Sequence, residues 1–128
     1  MGKKILIADD LTLDIVLSRS VVDKCEQISD VDVACDGAEA LTLLIRNQYD
    51  LVLLDIKMPK IDGFELLQLL REHHPDSTPL VFILSGSDSM VDRERANALG
   101  VEEYVQKSLE YAKFRADLRE ALARHGFC

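Results

Sequence analysis

Five short apolar runs punctuate the chain, and between them apolar positions recur every three or four residues. Runs of that length suit buried strands, whereas the three-and-four spacing is the stripe of an amphipathic helix. Lys3 to Ala8 predicts a first strand that delivers Asp9 and Asp10 at its carboxyl end. Leu13, Val16, Leu17, Val21 and Cys25 predict a helix between Leu11 and Glu26 with one buried face. Val31 to Cys35 predicts a short second strand. Asp36, with Glu39 three residues on, has the form of a capping box, and opens a helix to about Gln48 whose Ala38, Leu41 and Ile45 face inward.

Leu51 to Leu54 is a fully apolar strand followed at once by Asp55, with Pro59 and the pair Asp62 and Gly63 turning the chain into the next helix. That helix carries Phe64, Leu67 and Leu70 on one stripe and stops by Pro75. Pro79 to Leu84 predicts a fourth strand and delivers Ser85 and Gly86. The segment from Asp88 to Leu99 has only Val91, Ala98 and Leu99 as a thin apolar stripe, so it is expected to be the most weakly anchored helix. Glu102 to Gln106 predicts an edge strand with Lys107 at its end, and Leu109 to Arg124 a last helix burying Phe114, Leu118, Ala121 and Leu122. Strand and helix alternate five times with short connections, which predicts one α/β domain: a parallel sheet, doubly wound with helices on both faces. Ligands of such sheets bind beyond the carboxyl ends of the strands, and the groups delivered there are Asp9, Asp10, Asp55, Ser85 and Lys107.

Charge narrows the partners. A net charge of -8 opposes direct nucleic acid binding, which draws its affinity from Lys and Arg neutralising phosphates. No apolar run approaches the roughly 18 residues that span a bilayer, and the run after Lys3 and Lys4 is cut at Asp9, so neither a membrane span nor a signal peptide is expected. Cys25, Cys35 and Cys128 are odd in number and lack ligand-like spacing, so no disulfide or zinc site is expected and a cytoplasmic location fits. His73, His74 and His125 lie at helix ends, where a cation suits the helix dipole.

Three carboxylates gathered at one sheet edge repel one another, and a divalent cation is the simplest relief. Oxygen ligands without His or Cys suit Mg²⁺, with Mn²⁺ as a substitute. Asp10 and Asp55 are the expected direct ligands, Asp9 acts through water, and the backbone carbonyl of Lys57 completes the protein share. Asp55 is then the candidate nucleophile for a phosphoryl group, forming an acyl phosphate. Lys107 and the Ser85 hydroxyl would each meet a phosphoryl oxygen. If Ser85 is drawn in, a ring behind it can follow, and Tyr104 is the candidate.

These residues, in this order and spacing, resemble the receiver domain of two-component response regulators over essentially the whole chain, residues 1–128. The resemblance rests on Asp9 and Asp10 after the first strand, Asp55 with Lys57, Met58 and Pro59 behind it, Ser85 after the fourth strand, and Tyr104 to Lys107 on the fifth. It implies a flavodoxin-like (βα)5 fold with strand order 2-1-3-4-5, and a phosphohistidine donor on a histidine kinase or histidine phosphotransfer protein. It further implies a switch whose only catalysis is its own phosphorylation and dephosphorylation. The state of Asp55 would be read by a downstream protein effector through the face of the fourth helix, fifth strand and fifth helix; a phosphorylation-dependent dimer is compatible with that. Two departures stand out. Ser108 follows Lys107 where the family usually has Pro, and is expected to cap the last helix instead; Gly86 follows Ser85 where Ala is common. An aspartyl phosphatase of the haloacid-dehalogenase type would need an acid where Lys57 stands, and a flavin module a phosphate loop in place of Asp9 and Asp10. A degenerate receiver kept only for protein contact is the remaining rival.

Overall fold

The strand Leu51–Asp55 (β3) is buried along its whole length and supplies side chains to both halves of the core. Its alternation explains the architecture. Val52 and Leu54 pack on one face of the sheet with Leu6, Val81 and Ile83, whereas Leu51 and Leu53 pack on the other with Ile5, Ile7, Phe82 and Leu84. A strand apolar on both faces needs helices on both sides. The computed structural model describes residues 2–128 and supplies them.

In chain order the elements are β1 (Lys3–Ala8), α1 (Thr12–Val22), β2 (Ile28–Ala34), α2 (Gly37–Arg46), β3, α3 (Gly63–His73), a 3₁₀ turn (Pro75–Ser77), β4 (Leu80–Ser85), α4 (Met90–Ala98), β5 (Glu103–Gln106) and α5 (Tyr111–Arg124). The five strands pair in parallel in the order β2-β1-β3-β4-β5. This is the doubly wound, flavodoxin-like order that the resemblance implied. Side chains of α1 and α5 fill the Leu51/Leu53 face, and those of α2, α3 and α4 fill the other. The chain reverses its direction of travel across the sheet between β1 and β3, and it is there that a crevice opens at the strands' carboxyl ends.

The predicted stripes of α3 and α5 are the buried ones: Phe64, Leu67 and Leu70, and Phe114, Leu118, Ala121 and Leu122. Asp36 and Asp62 cap α2 and α3, each accepting the N–H of the Glu three residues on at 2.8 Å. Such a cap is worth about 1 kcal/mol.

Other expectations are corrected. β2 begins at Ile28, not Val31, and leaves Cys35 outside; as an edge strand it needs only one ladder, so polar Ser29 and Asp30 are tolerated in it. In α1 the predicted stripe is buried only in part: Val21 and Cys25 are buried and Leu17 packs against the core, but Leu13 and Val16 are 52% and 57% exposed while Ser18 and Val22 are buried. In α2, Ala40 and Leu44 point inward while Ile45 is exposed. The buried residue of α4 is Ala96, and Val91 is exposed, so the helix has even less anchorage than its sequence implied. Ser108 does not cap α5: its hydroxyl accepts the Glu110 N–H at 3.0 Å, closing a turn before the helix, and Glu110 occupies the cap position without a side-chain bond. The Lys107–Ser108 peptide is trans, as are all peptides among the described residues.

The cysteine expectation also fails, because Cys25 and Cys128 form a disulfide across a separation of 103 residues. Its cause lies in the tail. Phe127 is buried and meets Phe82 edge-on at 6.4 Å, which folds the chain end back beside the end of α1. Cys35 is free and exposed. The cysteines therefore carry no argument about compartment. Among the described residues no helix is long and apolar enough to cross a membrane.

Candidate functional site

The crevice at the carboxyl ends of β1, β3, β4 and β5 is a cleft of about 710 Å³ lined by Asp10, Asp14, Asp55, Lys57, Ser85 and Lys107, among others. Each is placed by backbone. The Asp9 N–H donates to the Ala34 carbonyl at 3.0 Å, extending the β1–β2 ladder by one residue, and the Lys107 N–H donates to Ser85 at 2.7 Å, extending β4–β5 in the same way. Asp55 is the last residue of β3. Behind it Gly63 packs so closely that a Cβ would collide with the Asp55 carbonyl oxygen, and the Gly63 N–H donates to Ile56 at 2.8 Å. Only glycine allows α3 to start this near the Asp55 backbone. The intervening turn holds Lys60 in the left-handed region at φ 70°, its ammonium 3.2 Å from Asp36.

One oxygen each from Asp9, Asp10 and Asp55 lies within 4.8 Å of the others. Asp9 and Asp55 are buried, at 2% and 6% exposure, and Asp10 is open to solvent. The Lys107 ammonium stands among them, 2.9 Å from Asp9 Oδ2, 3.4 Å from Asp55 Oδ2 and 2.9 Å from Asp14 Oδ2. Burial pushes the Asp55 carboxyl up to about 6; the charge of Lys107 opposes that rise, and the charges of Asp9 and Asp10 add to it. For Lys107, burial works against its charge, but bonds to Asp14 and Asp9 and the charge of Asp55 outweigh burial and raise its pKa. Three carboxylates around one ammonium, with Asp10 beside two of them, leave an excess of negative charge that an oxygen-seeking divalent cation matches in size and chemistry.

Ser85 is buried, its hydroxyl accepting the Ser87 N–H at 3.1 Å. Tyr104 lies behind this loop, not in the cleft. Its hydroxyl donates to the Ser87 carbonyl at 2.9 Å, its ring packs against the α2/α3 core, and the Arg93 guanidinium covers it at 4.5 Å. Ser85 and Tyr104 are thus joined through one residue, Ser87. Lys57 lines the cleft.

Asp14 is the site residue that sequence reasoning missed. It stands in the first turn of α1, four residues after Asp10, and a lone acid at a helix start reads as a partner for the helix dipole.

A family model described as the response regulator receiver domain matches residues 5–119. The chain is 33% identical, over 96% of its length, to the transcriptional regulatory protein CiaR of Streptococcus pneumoniae, and covers 53% of that protein. It thus spans about half the length of such curated relatives. Among solved structures it is similar to the phosphorylated cyanobacterial phytochrome response regulator RcpA, with a TM-score of 0.85 at 25% identity over 95% of this chain and 92% of that one. It shares its fold with the Mn(2+)-bound form of response regulator Rcp1, with a TM-score of 0.86 at 24% identity over 95% and 93%. A doubly wound sheet whose switch-point acids surround a lysine that follows the last strand, matched over nearly all its length by one family model, places this chain in the response regulator receiver domain family.

Proposed function

We propose that the chain is a single receiver domain that works as a phospho-accepting switch, with Asp55 as acceptor. The observation that carries this is the position of Lys107, 3.4 Å from a buried carboxylate that shares its pocket with two more acids. A carboxylate oxygen of Asp55 attacks the phosphorus of a phosphohistidine on a histidine kinase or phosphotransfer protein; the phosphorus–nitrogen bond breaks and its electron pair leaves with the imidazole. Lys107 and Ser85 then each meet a phosphoryl oxygen. Asp10 and Asp55, Asp9 through water, and the Lys57 carbonyl are the groups that would hold Mg²⁺ or Mn²⁺. Bound there, the ion supplies charge neutralisation for the transferred group.

Readout follows from the Ser85–Ser87–Tyr104 link. A shift of Ser85 toward the phosphoryl group pulls on the loop that Tyr104 holds, and α4, with one buried residue, is the element that gives way most cheaply. The face of α4, β5 and α5 then presents the state of Asp55 to a protein effector or to a second copy, in a cytoplasmic setting. The test is incubation with Mg²⁺ and a small acyl phosphate, followed by intact mass. One phosphoryl group is expected on the protein and none on Asp55→Asn; a protein that stays unmodified at every donor concentration refutes the proposal and favours a receiver kept for contact alone.

A further inference from the structure

Lys107 has three hydrogens to donate and three carboxylates to receive them. Two of those, Asp9 and Asp55, belong to the cluster of oxygens within 4.8 Å that a cation would occupy; Asp14 does not. Ammonium and cation therefore compete for the same two side chains. Asp14 comes from a different element, the first turn of α1, where the backbone is fixed by the Ile15 N–H donating to Leu11 at 3.0 Å. Its contact with Lys107 at 2.9 Å is as short as that of Asp9, and both partners are largely buried, with side chains 14% and 20% exposed.

We propose that Asp14 is a positioning residue for Lys107: it keeps the ammonium in the cleft, facing Asp55, once a divalent cation has taken Asp9 and Asp55 away from it. Without this third carboxylate Lys107 has two courses. It stays on the cluster and resists the cation, or it yields the cluster and swings toward solvent, away from the group it is to meet. With Asp14 present, the ammonium exchanges three partners for one and remains beside Asp55. This inference rests on the cleft being a cation-assisted phosphoryl acceptor, and it adds a residue to that machinery which the acid pair, the acceptor and the lysine do not include.

The experiment is a double-mutant cycle on Mg²⁺ affinity, read by calorimetry at fixed pH and ionic strength in wild type, Asp14→Asn, Lys107→Met and the double variant. Lys107→Met alone is expected to tighten Mg²⁺, since the competitor is gone. Asp14→Asn is expected to weaken Mg²⁺, and to weaken it by a factor about threefold or more larger with Lys107 present than in Lys107→Met. A carboxylate acting only as one more negative charge, or only on the helix dipole, gives equal factors in both backgrounds, and that result overturns the proposal. So does a Lys107→Met protein that binds Mg²⁺ no more tightly than wild type. At saturating Mg²⁺, where affinity no longer limits, Asp14→Asn is expected to take phosphoryl from a small acyl phosphate several-fold more slowly, and a rate at or above wild type also overturns it. Wild type that binds Mg²⁺ yet accepts no phosphoryl group would instead sink the phospho-acceptor reading, leaving the coupling between Asp14 and Lys107 to be judged by the binding cycle.

Discussion

Replacing Asp55 should make the metal-free protein more stable. An aspartate whose carboxyl is pushed from 3.8 to about 6 in the folded chain resists ionisation there by about 3 kcal/mol at most, at any pH well above 6. Between those two values the folded chain still holds a proton that the unfolded chain has released. Stability is therefore complete below about pH 4, falls as pH rises through about 6, and is level beyond. Asn carries no charge at any of these pH values and escapes the loss. Asp55→Asn, melted in a chelator at pH 7.5, should exceed wild type by about 2–3 kcal/mol, or roughly 5–10 °C for a chain of this size. The gap should shrink toward zero as the pH is lowered to 4. Adding Mg²⁺ should raise wild type selectively, by about 1.4 kcal/mol when the ion is at ten times its dissociation constant. A variant no more stable than wild type at pH 7.5, or a gap that is the same at pH 4 and 7.5, would show that burial and the neighbouring acids are not straining Asp55.

Three further outcomes can be checked by the same means. Reducing the protein, or replacing Cys25 and Cys128 by Ser, should lower stability by about 2–4 kcal/mol, the usual worth of a link that closes so long a loop; identical melts with and without reductant would deny the bond. Gly63→Ala forces a methyl group onto the Asp55 carbonyl and should cost about 1–3 kcal/mol while slowing phosphoryl acceptance, and unchanged values of both would mean that the β3–α3 junction has slack. Tyr104→Phe removes one hydrogen bond to Ser87, worth about 1 kcal/mol, and should speed amide exchange from Ser87 to Ser89 without altering Mg²⁺ affinity; protection that stays at its wild-type level would disconnect the ring from the loop.

How much of this could be read from the residues divides along a physical line. The order of elements and the groups at the sheet edge were legible, because strand length, helical period and the polar residue ending each run are local properties. The inward faces of α1 and α2 were legible only in part: Val21, Cys25 and Leu41 do meet the core. Leu13, Val16 and Ile45 satisfy the period yet lie at the surface, while Ser18 is buried, since the face a helix turns inward is set by its partners and not by its own composition. The pairing of Asp14 with Lys107, 93 residues apart, and the tail that returns to meet Cys25 depend on tertiary packing alone. Ser108 failed as a cap because α5 begins two residues later than its apolar pattern suggests.

The thin footing of α4 has a consequence for how the domain tolerates change. Ala96, half-buried Leu99, and Arg93 and Arg95 lying over the Tyr104 and Phe64 rings tie that helix to the body. Substitutions along its outer surface should pass almost unnoticed in a melting curve, since little enthalpy is invested there. The same substitutions would alter what an effector meets, so on this helix a sequence can drift toward new partners while the scaffold beneath it stays as robust as before.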